Sequence, residues 1–140
     1  MYWPAGHKNL GEAWDVVRDV PEWQGQARWL TPICNRGNIL VANGRLAAVL
    51  DWGGVAIGDP AVDLIVAWNL LDKNTRPVFR DAVHVDEITW RRGRAWALSI
   101  ALVAYPYYVE TKPRAAQVAL RQIQHVLADI SAPDGAAWGR

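Results

Sequence analysis

Apolar positions recur at helical spacing in two stretches of the chain. Leu10, Ala13, Trp14 and Val17 fall on one face, so an amphipathic helix is expected over residues 9–20, with Asn9 and Glu12 spaced as a capping box. Toward the other end, Ala116, Ala119, Leu120, Ile123, Val126, Leu127 and Ile130 keep a 3.6-residue period, and Thr111 and Pro113 open that helix. Between them, Asp59-Pro60 reads as an N-cap followed by proline at the first helical position, which predicts a helix to about Leu71. A short helix is expected over residues 77–83. Asp86 is placed to cap a long helix through Trp90, Ala97, Ile100, Ala101 and Ala104, ending or kinking at Pro106.

The middle of the chain has a different rhythm. Short apolar runs at residues 39–41 and 46–50 flank Asn43-Gly44, a strong hairpin signal. The hairpin delivers Asp51 at the exit of its second strand. Residues 21–25 and 31–37 lack periodicity and contain Pro21, Gly25, Pro32 and Gly37, so both read as loops. The pattern as a whole predicts an α+β chain, mainly α-helical, with one small β-hairpin. No repeat or linker interrupts it, and residues 1–140 are expected to form a single domain.

Composition narrows the classes. Hydrophobic residues make up 51% and charged residues 21%, the balance of a globular chain rather than a disordered one. A net charge of +1 gives no field for nucleic acid or an anionic membrane, so neither partner is expected. The apolar stretches are too short to span a bilayer, and residues 1–10 lack the pattern of a signal peptide. The lone Cys34 excludes an internal disulfide and a cysteine zinc cluster, which suits a reducing cytoplasm. The nine tryptophans are expected mainly in core or interface packing. His7, His84 and His125 are scattered and read as surface or capping residues.

The candidate chemistry lies in an ordered set: Gly37-Asn38, the hairpin, Asp51-Trp52-Gly53, then Gly58-Asp59-Pro60 with Asp63 three residues on. Alone, Asn38 is an ordinary turn residue and Asp51 an ordinary strand-end cap. Together and in this order they resemble the catalytic half of the aminoglycoside phosphotransferase family, kinase-like enzymes that phosphorylate small molecules. The stretches 23–30, 90–99 and 104–108 extend the resemblance over most of residues 10–130.

The resemblance implies a kinase-like C-terminal lobe, ATP as phosphoryl donor and a small-molecule hydroxyl as acceptor. It implies Mg2+ held by Asn38 and Asp51, since magnesium takes oxygen ligands and only one or two from protein. Asp59 is implied as a helix cap and Asp63 as a brace for the catalytic loop, both structural. None of Asp72, Asp81, Asp86, Glu87 or Glu110 is assigned to the acceptor.

Two departures bear on activity. The family pattern is His-Gly-Asp, four residues, then Asn; the matching positions here are Thr31, Pro32 and Ile33. Ile33, five residues before Asn38, cannot accept a proton from an attacking hydroxyl, so no catalytic residue is intact. No Gly-rich phosphate loop precedes the motif, and Lys8 lacks the context of a phosphate-pairing lysine. The expectation is therefore a C-lobe without its N-terminal nucleotide lobe, inactive alone, which pairs with a separate N-lobe or self-associates. The alternative is a non-catalytic, pseudokinase-type binding module for a small hydroxylated ligand or a protein partner. Two origins account for the altered loop. Written with GC-ending codons and read one base back, residues 31–36 become His, Pro or Ala, Asp, Leu, Gln, Pro before Gly-Asn, as a compensated pair of frameshifts would leave them. The other origin is ordinary substitution in a degenerating pseudokinase.

Overall fold

The computed structural model describes residues 8–31 and 37–131. His7, Ile33 and Cys34 therefore lie outside the described residues. The elements run α1 (Lys8–Arg18), β1 (Arg28–Leu30), β2 (Ile39–Ala42), β3 (Arg45–Val49), β4 (Ala56–Gly58), α2 (Val66–Asn69), α3 (Arg76–Val83), α4 (Glu87–Tyr108) and α5 (Pro113–Ser131). Short 3₁₀ turns occupy Trp52–Gly54 and Pro60–Ile65. The fold is mainly helical with two small antiparallel sheets.

The hairpin forms where Asn43-Gly44 places it. Both residues take positive φ, 52° and 72°, the backbone that a tight two-residue turn needs. β2 and β3 pair in the register Ile39↔Val49, Leu40↔Ala48, Val41↔Leu46 and Ala42↔Arg45, with a bulge between Leu40 and Val41. The second sheet was not foreseen. β1 pairs with β4 through Arg28↔Gly58, Trp29↔Ile57 and Leu30↔Ala56. Three-residue strands carry no readable period, and their partner lies far along the chain. This pair works as a clasp: it closes the chain on itself just outside the loop and hairpin that carry the candidate chemistry.

Helix boundaries differ from expectation where packing overrides local signals. α1 begins at Lys8, so Asn9 lies inside the helix rather than capping it. After Asp59 the chain winds first as 3₁₀ and becomes α-helical only from Val66 to Asn69, short of Leu71. Tight winding is common in the first turn of a helix. α4 passes through Pro106 and ends at Tyr108. Proline removes one helical donor this close to the end, and the following turn is closed by the Val109 N–H donating to the Tyr105 carbonyl at 3.0 Å. Asp86 does cap α4, accepting from the Thr89 N–H at 2.7 Å.

The core lies where α4 and α5 meet the 60–69 segment, with Trp68, Leu98 and Val126 as its largest fully buried side chains. Trp68 and Trp90 pack at 4.9 Å between ring centroids. These two are the buried tryptophans among the described residues, whereas Trp14, Trp29, Trp52 and Trp96 are exposed. Of the expected core or interface roles, the core one holds for Trp68 and Trp90 among the described residues. Gln122 interrupts the α5 stripe yet is buried, because its Nε2 donates to the Ala97 carbonyl at 2.7 Å and its Oε1 accepts from Asn69 at 2.6 Å. No helix among the described residues is long and apolar enough to cross a membrane.

α4 approaches the 3₁₀ turn so closely that Gly93 has no room for a side chain. A Cβ there would lie 2.6 Å from Leu64 Cβ and 3.1 Å from the Ala61 carbonyl. Gly93→Ala should therefore destabilise the chain by ~1–3 kcal/mol although alanine favours helix. Urea unfolding checks this; unchanged or raised stability would show that the helix yields at no cost.

Candidate functional site

The residues of interest follow one another around the clasp. β1 ends at Leu30, and the next residue, Thr31, donates its backbone N–H to Asp63 Oδ1 at 2.6 Å. Gly37 and Asn38 lead into β2. The Leu50 N–H then donates to the Asn38 carbonyl at 2.7 Å, extending the hairpin ladder by one rung. Asn38 thus sits across from Leu50, and Asp51 is the next residue. Neighbours on antiparallel strands lie ~5 Å apart at Cα, so the hairpin brings Asn38 and Asp51 to its open end together.

Asp51 itself is in the left-handed region, with φ 59° and ψ 69°. A non-glycine residue rarely holds that conformation, which costs energy that the surroundings must support. Here the support is the 3₁₀ turn that follows. The Trp52 indole N–H donates back to the Val49 carbonyl at 3.1 Å, and the Val55 N–H to the Trp52 carbonyl at 3.2 Å. Asp51 Oδ1 lies 3.4 Å from where a Cβ on Gly53 would stand, so the carboxylate is turned over the glycine. Asn38 is half-buried and Asp51 exposed. Among the described residues, no three His, Cys, Asp or Glu side chains gather as metal ligands; an amide and a carboxylate oxygen are the donors that this end of the hairpin offers. Ile33 lies outside the described residues.

Asp59 and Asp63 are held differently. Asp59 Oδ1 accepts from the Ala61 N–H at 2.9 Å, capping the 3₁₀ turn, while Oδ2 accepts from Arg92 Nε at 3.0 Å. Arg92 is buried on α4 and also donates to Thr89 Oγ1 at 3.0 Å. Nothing in the local sequence marks Arg92 for this part, since its partner lies 33 residues away on another element. Asp63 reaches back to Thr31 at the head of the loop. Burial pushes the Asp63 carboxyl up from its ordinary 3.8, and the Thr31 N–H draws it partly back.

The sign of the pH effect follows. A carboxyl raised in the folded state contributes most below its ordinary value and loses that contribution as pH rises through the folded value. Asp86, lowered chiefly by the Thr89 N–H, and Asp72, lowered chiefly by the Thr75 N–H, run the other way: their contribution is present above 3.8 and is lost as pH falls through their folded values. Asp63→Ala should leave the Thr31 N–H without its acceptor and cost ~1–3 kcal/mol, with faster amide exchange at Thr31. Asp63→Asn keeps an acceptor and should cost much less; equal losses for both would assign the effect to charge instead.

A second feature went unread in the sequence. A cavity of about 470 Å³ is lined by Asn69, Leu70, Asp72, Thr75, Arg121 and His125. Asn69 Oδ1 is buried with no hydrogen-bond partner, its amide nitrogen being committed to Gln122. His125 Nδ1 lies 3.0 Å from the Trp68 carbonyl; a carbonyl only accepts, so this nitrogen carries the proton. His84, by contrast, is exposed in a left-handed conformation at the end of α3.

The fold has counterparts among solved structures. The chain superposes with a TM-score of 0.58 and 21% identity on a thermostable mutant of aminoglycoside phosphotransferase APH(4)-Ia in ternary complex with AMP-PNP and hygromycin B, covering 94% of this chain and 46% of that one. A ternary complex of the same protein with ADP and hygromycin B matches with a TM-score of 0.56 and 22% identity, over 89% and 44%. At this identity the likeness establishes the kinase-like fold, and the chain spans about half the length of these structures. No curated protein matches the chain. The model of the phosphotransferase enzyme family, APH, matches residues 8–96. With well over half of its residues matched by that model, the chain belongs to the phosphotransferase enzyme family.

Proposed function

We propose that this chain supplies the metal-binding and acceptor-facing half of an ATP-dependent phosphotransferase acting on a small-molecule hydroxyl, disabled as written by Ile33 at the general-base position. The observation that supports the reading is the Leu50-to-Asn38 rung, which pairs Asn38 with the residue just before Asp51. Phosphoryl transfer asks a protein chiefly for positioning and charge neutralisation. The amide oxygen of Asn38 and the carboxylate of Asp51 suit Mg2+, a hard ion that keeps most of its waters and takes few protein ligands. Magnesium bound there would neutralise charge on the transferred phosphoryl group. Asp63 steadies the loop through Thr31, and Asp59 with Arg92 fixes the turn after β4. Ile33 offers no lone pair for the hydroxyl proton.

The acceptor would have to reach the open end of the hairpin, beside the phosphoryl group that the metal holds. APH(4)-Ia, which shares this fold, is found in ternary complex with AMP-PNP and hygromycin B, which supports a small-molecule acceptor. Leu40, Val41, Leu46, Leu50 and Trp52 are exposed on and beside the hairpin, and the nucleotide-binding lobe is the occupant we assign to that face. A binding module without catalysis is the second reading; the cavity at Asn69, whose buried Oδ1 has no partner among the described residues, is the place where a small hydroxylated ligand would sit.

Paramagnetic Mn2+ in place of Mg2+ tests the metal site directly. It should broaden the amide resonances of Asn38 and Asp51 first, and Asp51→Asn or Asn38→Ala should abolish the effect. Broadening centred elsewhere, or untouched by both substitutions, would remove the basis of the proposal.

A further inference from the structure

A second cavity, of about 500 Å³, lies between α1, the segment that follows it and α4. Neither Asn38 nor Asp51 lines it, nor does any residue of the Asn69 cavity. Its volume falls within the range of small-molecule sites, which combine mostly apolar walls with a few polar groups. Three indoles, Trp14, Trp23 and Trp96, contribute to the wall. Trp14 and Trp96 are 40% and 42% exposed, so both leave indole surface open to solvent.

The lining holds two arginines, Arg18 and Arg92, and two carboxylates, Glu22 and Asp59, but they do not all pair with one another. Arg92 is paired with Asp59, and its guanidinium lies 5.1 Å from the Trp23 ring centroid. Arg18 pairs with Asp15 at 3.3 Å and Asp19 at 3.4 Å. Both lining cations therefore already have carboxylate partners. Glu22 is the lining carboxylate with no ion pair among the described residues. Indole faces attract cations and stack on flat rings. An unmatched carboxylate beside them favours a positive ligand and disfavours a negative one.

We infer that this cavity binds a flat aromatic molecule bearing one ammonium group, its ring against Trp14 and Trp96 and its charge toward Glu22. The site contains neither Asn38 nor Asp51, shares only the Asp59–Arg92 pair with the proposed phosphotransfer half, and its test is independent of activity.

Three probes of one shape decide it: 1-naphthylmethylamine, 1-naphthalenemethanol and 1-naphthylacetate, titrated against the 140-residue chain while the indole N–H resonances are followed by NMR. The amine should shift the Trp14 and Trp96 signals saturably and bind ~2–5-fold more tightly than the alcohol, the gain expected of one solvent-accessible ion pair. The acetate should bind more weakly than either. Glu22→Gln should erase the preference for amine over alcohol while leaving the alcohol's affinity in place, and Trp96→Ala should weaken all three. Both residues are at the surface, so each variant is checked for an unchanged spectrum elsewhere. Shifts confined to Trp29 or Trp52, the absence of saturation, or an amine preference that survives Glu22→Gln would each overturn the inference.

Discussion

Ile33→Asp, mixed with a nucleotide-binding lobe of the same family, should raise ATP-dependent phosphorylation of a small hydroxylated acceptor by ~10²–10⁴-fold over the unaltered chain in the same mixture, the usual contribution of a general base. The position is five residues ahead of Asn38, where the family pattern carries its carboxylate. A hydroxyl must lose its proton as it attacks, and a branched alkyl group has nowhere to put it. Without the added lobe, Ile33→Asp should change little, since a base cannot compensate for a nucleotide held from one side only. Replacing all of residues 31–36 by His-Pro-Asp-Leu-Gln-Pro should outperform the single substitution. Adding Asp51→Asn should return either variant to background. A coupled kinase assay reads all of these, and robust turnover by the unaltered chain would defeat the assignment of Ile33.

Asp129→Ala should be the most damaging single change to stability, at about 3–5 kcal/mol. The Asp129 carboxylate on α5 accepts from Arg76 Nη1 at 3.2 Å and Arg94 Nη1 at 3.3 Å, and from the Trp68 indole N–H at 3.2 Å. The two arginines come from α3 and α4 and are largely buried, with side-chain exposures of 7% and 15%. Burial draws the Arg76 guanidinium below its usual range, and Asp129 is what chiefly holds it up. Removing the carboxylate strands two cations and an indole N–H at once, so the loss should exceed that of a single exposed ion pair several-fold. Against a total stability of roughly 5–15 kcal/mol, this can unfold the chain. Asp129→Asn keeps an acceptor and should fall between. Urea titration of the three proteins measures it; a loss below ~1 kcal/mol for the alanine variant would mean that water replaces the carboxylate freely.

What the sequence made legible is what short-range chemistry determines. Asn43-Gly44 needs its positive φ, so the hairpin is marked; Asp86 has a cap to make, so α4 has a start. The stripe from Ala116 to Ile130 marks the buried side of α5. Asn38 and Asp51 became candidates only through their order around that hairpin, and the ladder rung from Leu50 explains why the order is informative. The β1–β4 clasp, the burial of Gln122, the Arg92–Asp59 pair and both cavities depend on groups that meet across long stretches of chain, and no local pattern announces them. Pro106 marks the end of α4 to within two residues: the helix carries on to Tyr108, because so near its end a proline removes only one donor.

Trp29 pairs with Ile57 on one side of the motif segment, while the buried centre at Trp68, Leu98 and Val126 is built from residues outside it. The residues that bury the core and the candidate metal ligands therefore lie largely on different stretches of the chain. In the sequence, residues 31–36 fall between β1 and β4, and among the described residues none of the buried core comes from them. A fold built this way can keep its shape while the stretch between the two clasp strands changes.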